Sequence, residues 1–201
     1  MKTNRCLAAF VALGGLACTL LLAACGGSAS SANSAAKTDS TTGAAATTAP
    51  TTANADFTSP DGVYALKYPT AWSPSPITAE NTTGAMMFIS ADGKDMFITG
   101  PLDTQIDSAN YGTLAKAFLT GAKATDISMG STTSSATFTS GTWQGIQGTA
   151  TFNGVASTIT ELGQDHNGKT FMIFTIAPTV SSSSDGNTYF QPIMDSLSFL
   201  N

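Results

Sequence analysis

Cys25 carries the most legible chemistry in this chain. It closes Leu22-Ala23-Ala24-Cys25, where an apolar N-terminal run gives way to Ser, Thr, Ala and Gly. A peptidase that takes a narrow, extended substrate needs small residues such as Ala23 and Ala24, and the Cys25 sulfur is a nucleophile able to accept a diacylglyceryl group. The pattern predicts cleavage between Ala24 and Cys25 and acylation of Cys25. Other reactive types are sparse. His166 is the single histidine, Glu80 and Glu161 are the only glutamates, and Ser and Thr are abundant. A hydrolase needs a nucleophile beside an oriented base, and no Gly-x-Ser-x-Gly occurs. Ser34-Ala35-Ala36-Lys37 matches a Ser-x-x-Lys pattern but lies in a segment with no rigid support. His166, in Asp165-His166-Asn167-Gly168, has no metal-ligating neighbour in the sequence and reads as a tolerant turn residue. No cofactor or metal is expected. Trp72 and Trp143 are the candidate ligand or partner surface.

The elements that place Cys25 are read directly. Lys2 and Arg5 form a short positive region, and Cys6 to Leu22 is apolar apart from Gly14, Gly15 and Thr19. Charge followed by an apolar run is the order of a secretory signal. An uncleaved signal anchor is the competing reading, but an anchor has no use for a cysteine at its boundary. Residues 1–24 are therefore expected to be a lipoprotein signal peptide. Two or three acyl chains, palmitate among them, would hold the chain on the cell membrane or outer membrane. Each buried methylene would contribute about 0.8 kcal/mol, and the folded part would face the extracytoplasmic side.

Residues 25–55 read as a tether of Ser, Thr, Ala, Gly, Asn and Pro with no aromatic, too polar to offset the entropy of ordering. Its r.m.s. reach would be about 30 Å. Residues 56–201 remain for one α+β domain. Cys6 and Cys18 leave with the leader, so this domain has no thiol for a disulfide or a metal. Only 10% of the chain is charged. From Asp56 onward five lysines face ten Asp and two Glu, leaving a net charge near −7, and there is no arginine after Arg5. Nucleic acid is a poor candidate partner, because affinity for it comes from basic side chains.

Within the domain, Ser59-Pro60-Asp61-Gly62 predicts a turn before a strand from Val63 to Tyr68. Ala85 to Ser90 and Met96 to Thr99 flank Asp92-Gly93-Lys94-Asp95 as a hairpin. Its acids fall short of the oxygen count of a calcium loop, so they read as a solvated turn. Tyr111, Leu114, Ala115, Phe118, Leu119 and Ala122 recur at helical spacing between Ser108 and Lys123, with Ser108 or Asn110 as N-cap. Strands are expected at Ala136 to Thr142, Gln144 to Phe152, Val155 to Leu162 and Lys169 to Ala177, with Gly163 to Gly168 as a loop. Asn153-Gly154 is a hairpin signal, and Phe171 to Ile176 is apolar on both faces. A closing helix is expected to start at a capping box of Thr188 and Gln191, with Phe190, Ile193, Met194 and Leu197 on its buried face.

Two stretches carry a resemblance. Tyr64-x-Leu66-x-Tyr68-Pro69-x-x-Trp72 and Pro192-Ile193-Met194-Asp195-Ser196-Leu197-Ser198-Phe199 resemble the opening strand-Pro-Trp and the closing helix of the PsbP-like superfamily. The resemblance implies a PsbP-like sandwich, an antiparallel sheet of about six or seven strands with helices packed on it, in proteins that mostly work as non-enzymatic accessory factors. The metal-binding histidines of the photosynthetic member have no counterparts here, since only His166 exists. A photosystem role does not follow.

The leading expectation is a lipid-anchored extracytoplasmic binding or assembly module with an envelope protein partner. The alternative is a carrier or sensor of a small hydrophobic ligand, with Trp72, Trp143 and methionines lining a cleft. A hydrolase using Ser or Thr with His166, Glu80 or Glu161 ranks below both.

Overall fold

A computed structural model of the chain describes residues 53–78, 82–131 and 133–200. Cys25, Ala24, the signal segment, Ser34 and Lys37, nearly all of the tether and Glu80 lie outside the described residues. The first strand, β1 (Asn54–Thr58), takes in Asn54 and Ala55 from the end of the expected tether. It pairs antiparallel with β2 (Tyr64–Pro69), and β2 pairs in turn with β11 (Ser198–Phe199), giving a three-stranded sheet. The turn between β1 and β2 is closed by Ser59, whose hydroxyl accepts from the backbone N–H groups of Val63 and Tyr64.

A second, eight-stranded antiparallel sheet runs β3 (Ser73–Pro76), β4 (Met86–Ile89), β5 (Met96–Pro101), β10 (Lys169–Pro178), β9 (Val155–His166), β8 (Gly141–Phe152) and β6 (Thr125–Met129), with β7 (Ser134–Phe138) also paired to β8. Two strands of this sheet escape the sequence pattern. Pro74 and Pro76 lie in β3, which is possible because β3 is an edge strand and a missing N–H is tolerated there. In β6 the register shifts between Thr125 and Ser128, around Asp126 with φ of 51°.

The expected Gly163–Gly168 loop is instead strand for most of its length. β9 continues to His166 and turns over Asn167 and Gly168, which hold φ of 51° and 78°. That two-residue Asn-Gly turn suits the twist of a hairpin. In the same way, Thr139 and Ser140 form the turn that separates β7 from β8, earlier than the predicted break after Thr142.

β10 explains the core. Phe171 and Ile173 point to one side, among Tyr64, Leu66, Phe88, Trp143, Ile193 and Leu197. Met172, Phe174 and Ile176 point to the other, among Tyr111, Ala115, Leu119, Ile146 and Ile159. The large sheet is therefore the middle layer. The small sheet and the C-terminal helical run cover one face, and α1 (Tyr111–Gly121) covers the other. This is an α+β antiparallel sandwich, with more strands than the sequence predicts and divided between two sheets.

Both helical runs begin before their predicted caps. A 3₁₀ turn, Ser108–Asn110, precedes α1, and the cap is Asp107, whose Oδ1 accepts from the Ala109 N–H at 2.9 Å. Asn110 makes no capping side-chain bond. At the C-terminus α2 (Ser182–Asp185), a π turn (Gly186–Phe190) and α3 (Gln191–Ser196) follow without a break. Thr188 and Gln191 thus lie inside the run and form no capping box. Gln191 instead donates to Asp195 one turn on, at 3.1 Å. The π turn ends just before Pro192, which has no N–H to continue an α-helical ladder.

The two stretches that carry the family resemblance are structural joints. Trp72 N–H donates to Pro69 O at 2.8 Å, turning the chain out of β2. Ser196 Oγ accepts from the Lys67 N–H at 2.8 Å and donates to Ile193 O at 2.7 Å, stitching the end of α3 to β2.

Candidate functional site

The β4–β5 hairpin, the end of α2 and the segment after β2 border an open cleft of about 590 Å³. That volume lies within the range of about 300–1,000 Å³ usual for ligand sites. The hairpin is rigidly built. Gly93, at φ of 74°, makes the turn, Ser90 N–H donates to Asp95 O at 3.0 Å, and Asp95 N–H donates to Ser90 Oγ at 2.9 Å. Ser90 Oγ also donates to Asp92 Oδ1 at 2.7 Å.

These bonds give the two acids of one turn different fates. Asp92 is exposed, pairs with Lys94 at 3.2 Å, and is held below the usual carboxylate range, first by the Ser90 hydroxyl. Asp95 turns inward and is only 7% exposed, with Oδ1 buried and without a hydrogen-bond partner. Burial, then the nearby charges of Asp185 and Asp92, push Asp95 up to about 6. The solvated turn expected from the sequence describes Asp92 and not Asp95.

Asp185 comes from α2. Its N–H donates to Ser181 O at 2.9 Å, and its carboxyl lies within hydrogen-bonding reach of Asp95. Two acids from separate elements therefore face each other, with Lys94 the only nearby cation among the described residues acting on Asp95. Trp72 forms part of the wall and packs on Tyr189 and Phe190, at centroid distances of 5.6 and 6.0 Å. The outer rim is apolar: Val155 and Val180 line the cleft with 38% and 99% of their surface exposed.

Trp143 lies elsewhere. It has no exposed surface, stacks near Phe199 and donates from Nε1 to Ser140 Oγ at 3.2 Å. The two tryptophans do not share a surface. Beneath α1 there is a second, apolar cleft of about 50 Å³, lined by Ile98, Leu102, Leu114, Phe118, Met172 and Phe174. Neither tryptophan reaches it.

Glu161 and His166, the candidate acid and base among the described residues, are kept apart. Glu161 sits on the α1 face of β9, fully buried, its carboxylate facing the Ala115 backbone N–H without a well-formed hydrogen bond. Burial raises it to about 9, against a weaker opposing effect from the Ala115 backbone N–H. His166, five positions on, projects to the opposite face, where it stacks on Phe199 with centroids 3.8 Å apart. Among the described residues no group of three or more His, Cys, Asp or Glu is arranged to hold a metal ion, and no helix is long and apolar enough to cross a membrane.

Sequence reasoning missed Asp95 and Asp185. Asp95 carried only the signal of a second acid in one turn, and nothing local links that turn to α2.

No protein-family model matches the chain, and no curated protein matches it. Solved structures do. Crystal structures of LpqN of Mycobacterium tuberculosis, a protein involved in cell envelope biogenesis, and of the Saccharomyces cerevisiae Ran-binding protein Mog1p are similar at 15% and 12% identity, each with a TM-score of 0.46. They cover 74% and 73% of this chain and 91% and 95% of their own. The solution structure of cyanobacterial PsbP (CyanoP) from Synechocystis sp. PCC 6803 is similar with a TM-score of 0.53 at 8% identity, over 77% of this chain and 96% of that one. With antiparallel sheets as the frame and helices packed on them, the fold of this chain is PsbP-like.

Proposed function

We propose that this chain is an extracytoplasmic lipoprotein, anchored through acyl chains on Cys25, that works as a non-enzymatic binding or assembly module for an envelope protein, and that the cleft of Asp95, Asp185 and Trp72 is its binding surface. The observation that carries the reading is Asp95: an acid nine-tenths buried in a site of ligand-binding size, facing a second carboxyl, where three acids share one lysine. Burying an uncompensated charge is costly, so an arrangement of this kind favours a partner that completes it. The fold by itself sets no activity.

Carriage of a small hydrophobic ligand has the apolar cleft under α1 in its favour. Its volume of about 50 Å³ is far below ligand size, so this reading requires α1 to lift from the sheet.

Two measurements test the proposal. Mass spectrometry of the mature protein is expected to find Cys25 first and diacylated, and an unmodified N-terminus upstream of Cys25 would overturn the anchoring. A photocrosslinking amino acid at Val180 is expected to trap an envelope protein in intact cells. The same group at Lys116, exposed on α1 across the sheet, is expected to trap none. Equal yields from the two positions, or none from Val180, would remove the cleft as the binding surface.

A further inference from the structure

We infer that the cleft between the β4–β5 hairpin and α2 receives an arginine side chain of a protein partner, its guanidinium bridging Asp95 and Asp185 from the cleft and the residues beside it covering Val155 and Val180. The inference rests on the reading of this cleft as the binding surface and names what binds there.

Charge selects the ligand first. Lys94 is the one cation among the described residues lining the cleft, and it pairs with Asp92 while its charge also reaches Asp95. Asp92, Asp95 and Asp185 thus share a single lysine, in a domain whose lysines are outnumbered by its acids. A cation is the complement.

Shape selects next. A divalent metal would need more oxygens than two facing carboxyls supply, and no third ligand is arranged there among the described residues. A sugar would need an open aromatic face, but Trp72 is 95% covered by Tyr189, Phe190 and their surroundings. A guanidinium is planar and presents five donors in a fixed fork, so it can bond two carboxyl groups at once, whereas an ammonium is a point charge. Tyr189, partly exposed beside Trp72, supplies a wall for its flat face.

The rim then selects a protein over a small cation. Val180, the most exposed large hydrophobic among the described residues, stands with Val155 at the opening, above the buried Pro69 and Pro178. A free amine would leave these apolar groups in water, while a peptide segment with aliphatic neighbours to the arginine would cover them.

Proton and guanidinium compete for the same place. The groups facing Asp95 are Asp92 and Lys94 of its own hairpin, Asp185 of α2 and Tyr189 of the turn that follows it. Below about pH 6 Asp95 holds a proton and can share it with Asp185, and an arriving cation must displace it. Binding should therefore weaken with acid.

The test uses the full-length chain in detergent micelles and a blocked pentapeptide, Ala-Val-Arg-Val-Ala, followed by isothermal titration calorimetry. Replacing the arginine by citrulline, which keeps the shape and loses the charge, is expected to weaken binding by about tenfold or more. The substitutions Asp95→Asn and Asp185→Asn are each expected to do the same, as is a shift from about pH 7.5 to about pH 5. Val180→Lys changes a fully exposed residue and cannot disturb the core, so its expected weakening keeps the test sound if an Asp variant folds poorly. Equal binding of the citrulline peptide, or none of the arginine peptide, would overturn the inference. Arginine amide binding as tightly as the pentapeptide would overturn the assignment to a protein. If the peptide fails while Val180 still crosslinks an envelope protein, the arginine is wrong and the cleft stands. If both fail, both readings fall.

Discussion

Tyr111 occupies the space that a side chain at Gly163 would fill: a Cβ built there would run into the phenol oxygen and ring carbons of Tyr111. α1 can lie close to the sheet only because β9 carries no side chain at that position. Gly163→Ala forces either the ring or the helix to move. Overpacking of this kind costs about 1–3 kcal/mol. Urea unfolding should show the loss as a lower midpoint with an unchanged slope, and a variant as stable as the parent would mean that α1 sits more loosely than the contact implies.

Gly186 is the opposite case. It is helical, with φ of −52° and ψ of −51°, and nothing lies within 4 Å of where its Cβ would be. Gly186→Ala should stabilise the chain by about 0.4–1 kcal/mol, because alanine has fewer unfolded conformations to lose. Thermal unfolding reads this as a higher midpoint, and a fall would show that the π turn needs the freedom of glycine.

Glu161 makes stability depend on pH. Its carboxyl takes up a proton near pH 9 in the folded chain, against an ordinary value of 4.5. Between those values the folded state holds the proton and the unfolded state does not, so stability falls as pH rises from about 4.5 and the loss is complete only above about 9. Glu161→Gln removes the titration. Its advantage over the parent should grow with pH and exceed about 1 kcal/mol by pH 8, since each tenfold difference in proton affinity between the two states is worth about 1.4 kcal/mol. Parallel stability curves between pH 5 and pH 8 would mean that the parent keeps Glu161 charged in the fold.

The parts of the fold that were legible in the sequence are those where one local pattern suffices. Phe171 to Ile176 is apolar on both faces and becomes the central strand buried between two cores. The spacing of Tyr111, Ala115 and Leu119 gives α1 its buried face. Where tertiary context overrides the local pattern, the sequence misleads. Ser73–Pro76, with two prolines, is a strand because an edge position forgives them, and His166 is the end of a strand because Asn167-Gly168 does the turning. The cleft was the least legible feature. Asp92 and Asp95 look alike in the turn, and only the arrival of α2 gives Asp95 a neighbour in Asp185 and separates the two.

The last strand should matter more than its two residues suggest. Phe199 stacks on His166 and meets Phe171 edge-on at 5.0 Å, while Trp143 lies roughly parallel to it at 6.3 Å. Its backbone pairs with Tyr64, and the next residue, Leu200, donates its N–H to Val63 O at 2.7 Å. The C-terminal end of the chain therefore closes the core on the side where the small sheet meets the large one. A fully buried phenylalanine costs about 3–5 kcal/mol when truncated to alanine. Phe199 is only half-buried, so Phe199→Ala should cost less, roughly 2 kcal/mol, with part of the loss from the aromatic contacts themselves. The same variant frees the indole of Trp143 from one of its covers. Its fluorescence should shift to longer wavelength before global unfolding, whereas His166→Ala should leave it unmoved. An unshifted spectrum in the Phe199 variant would show that Trp143 is shielded by Phe171 and the small sheet alone.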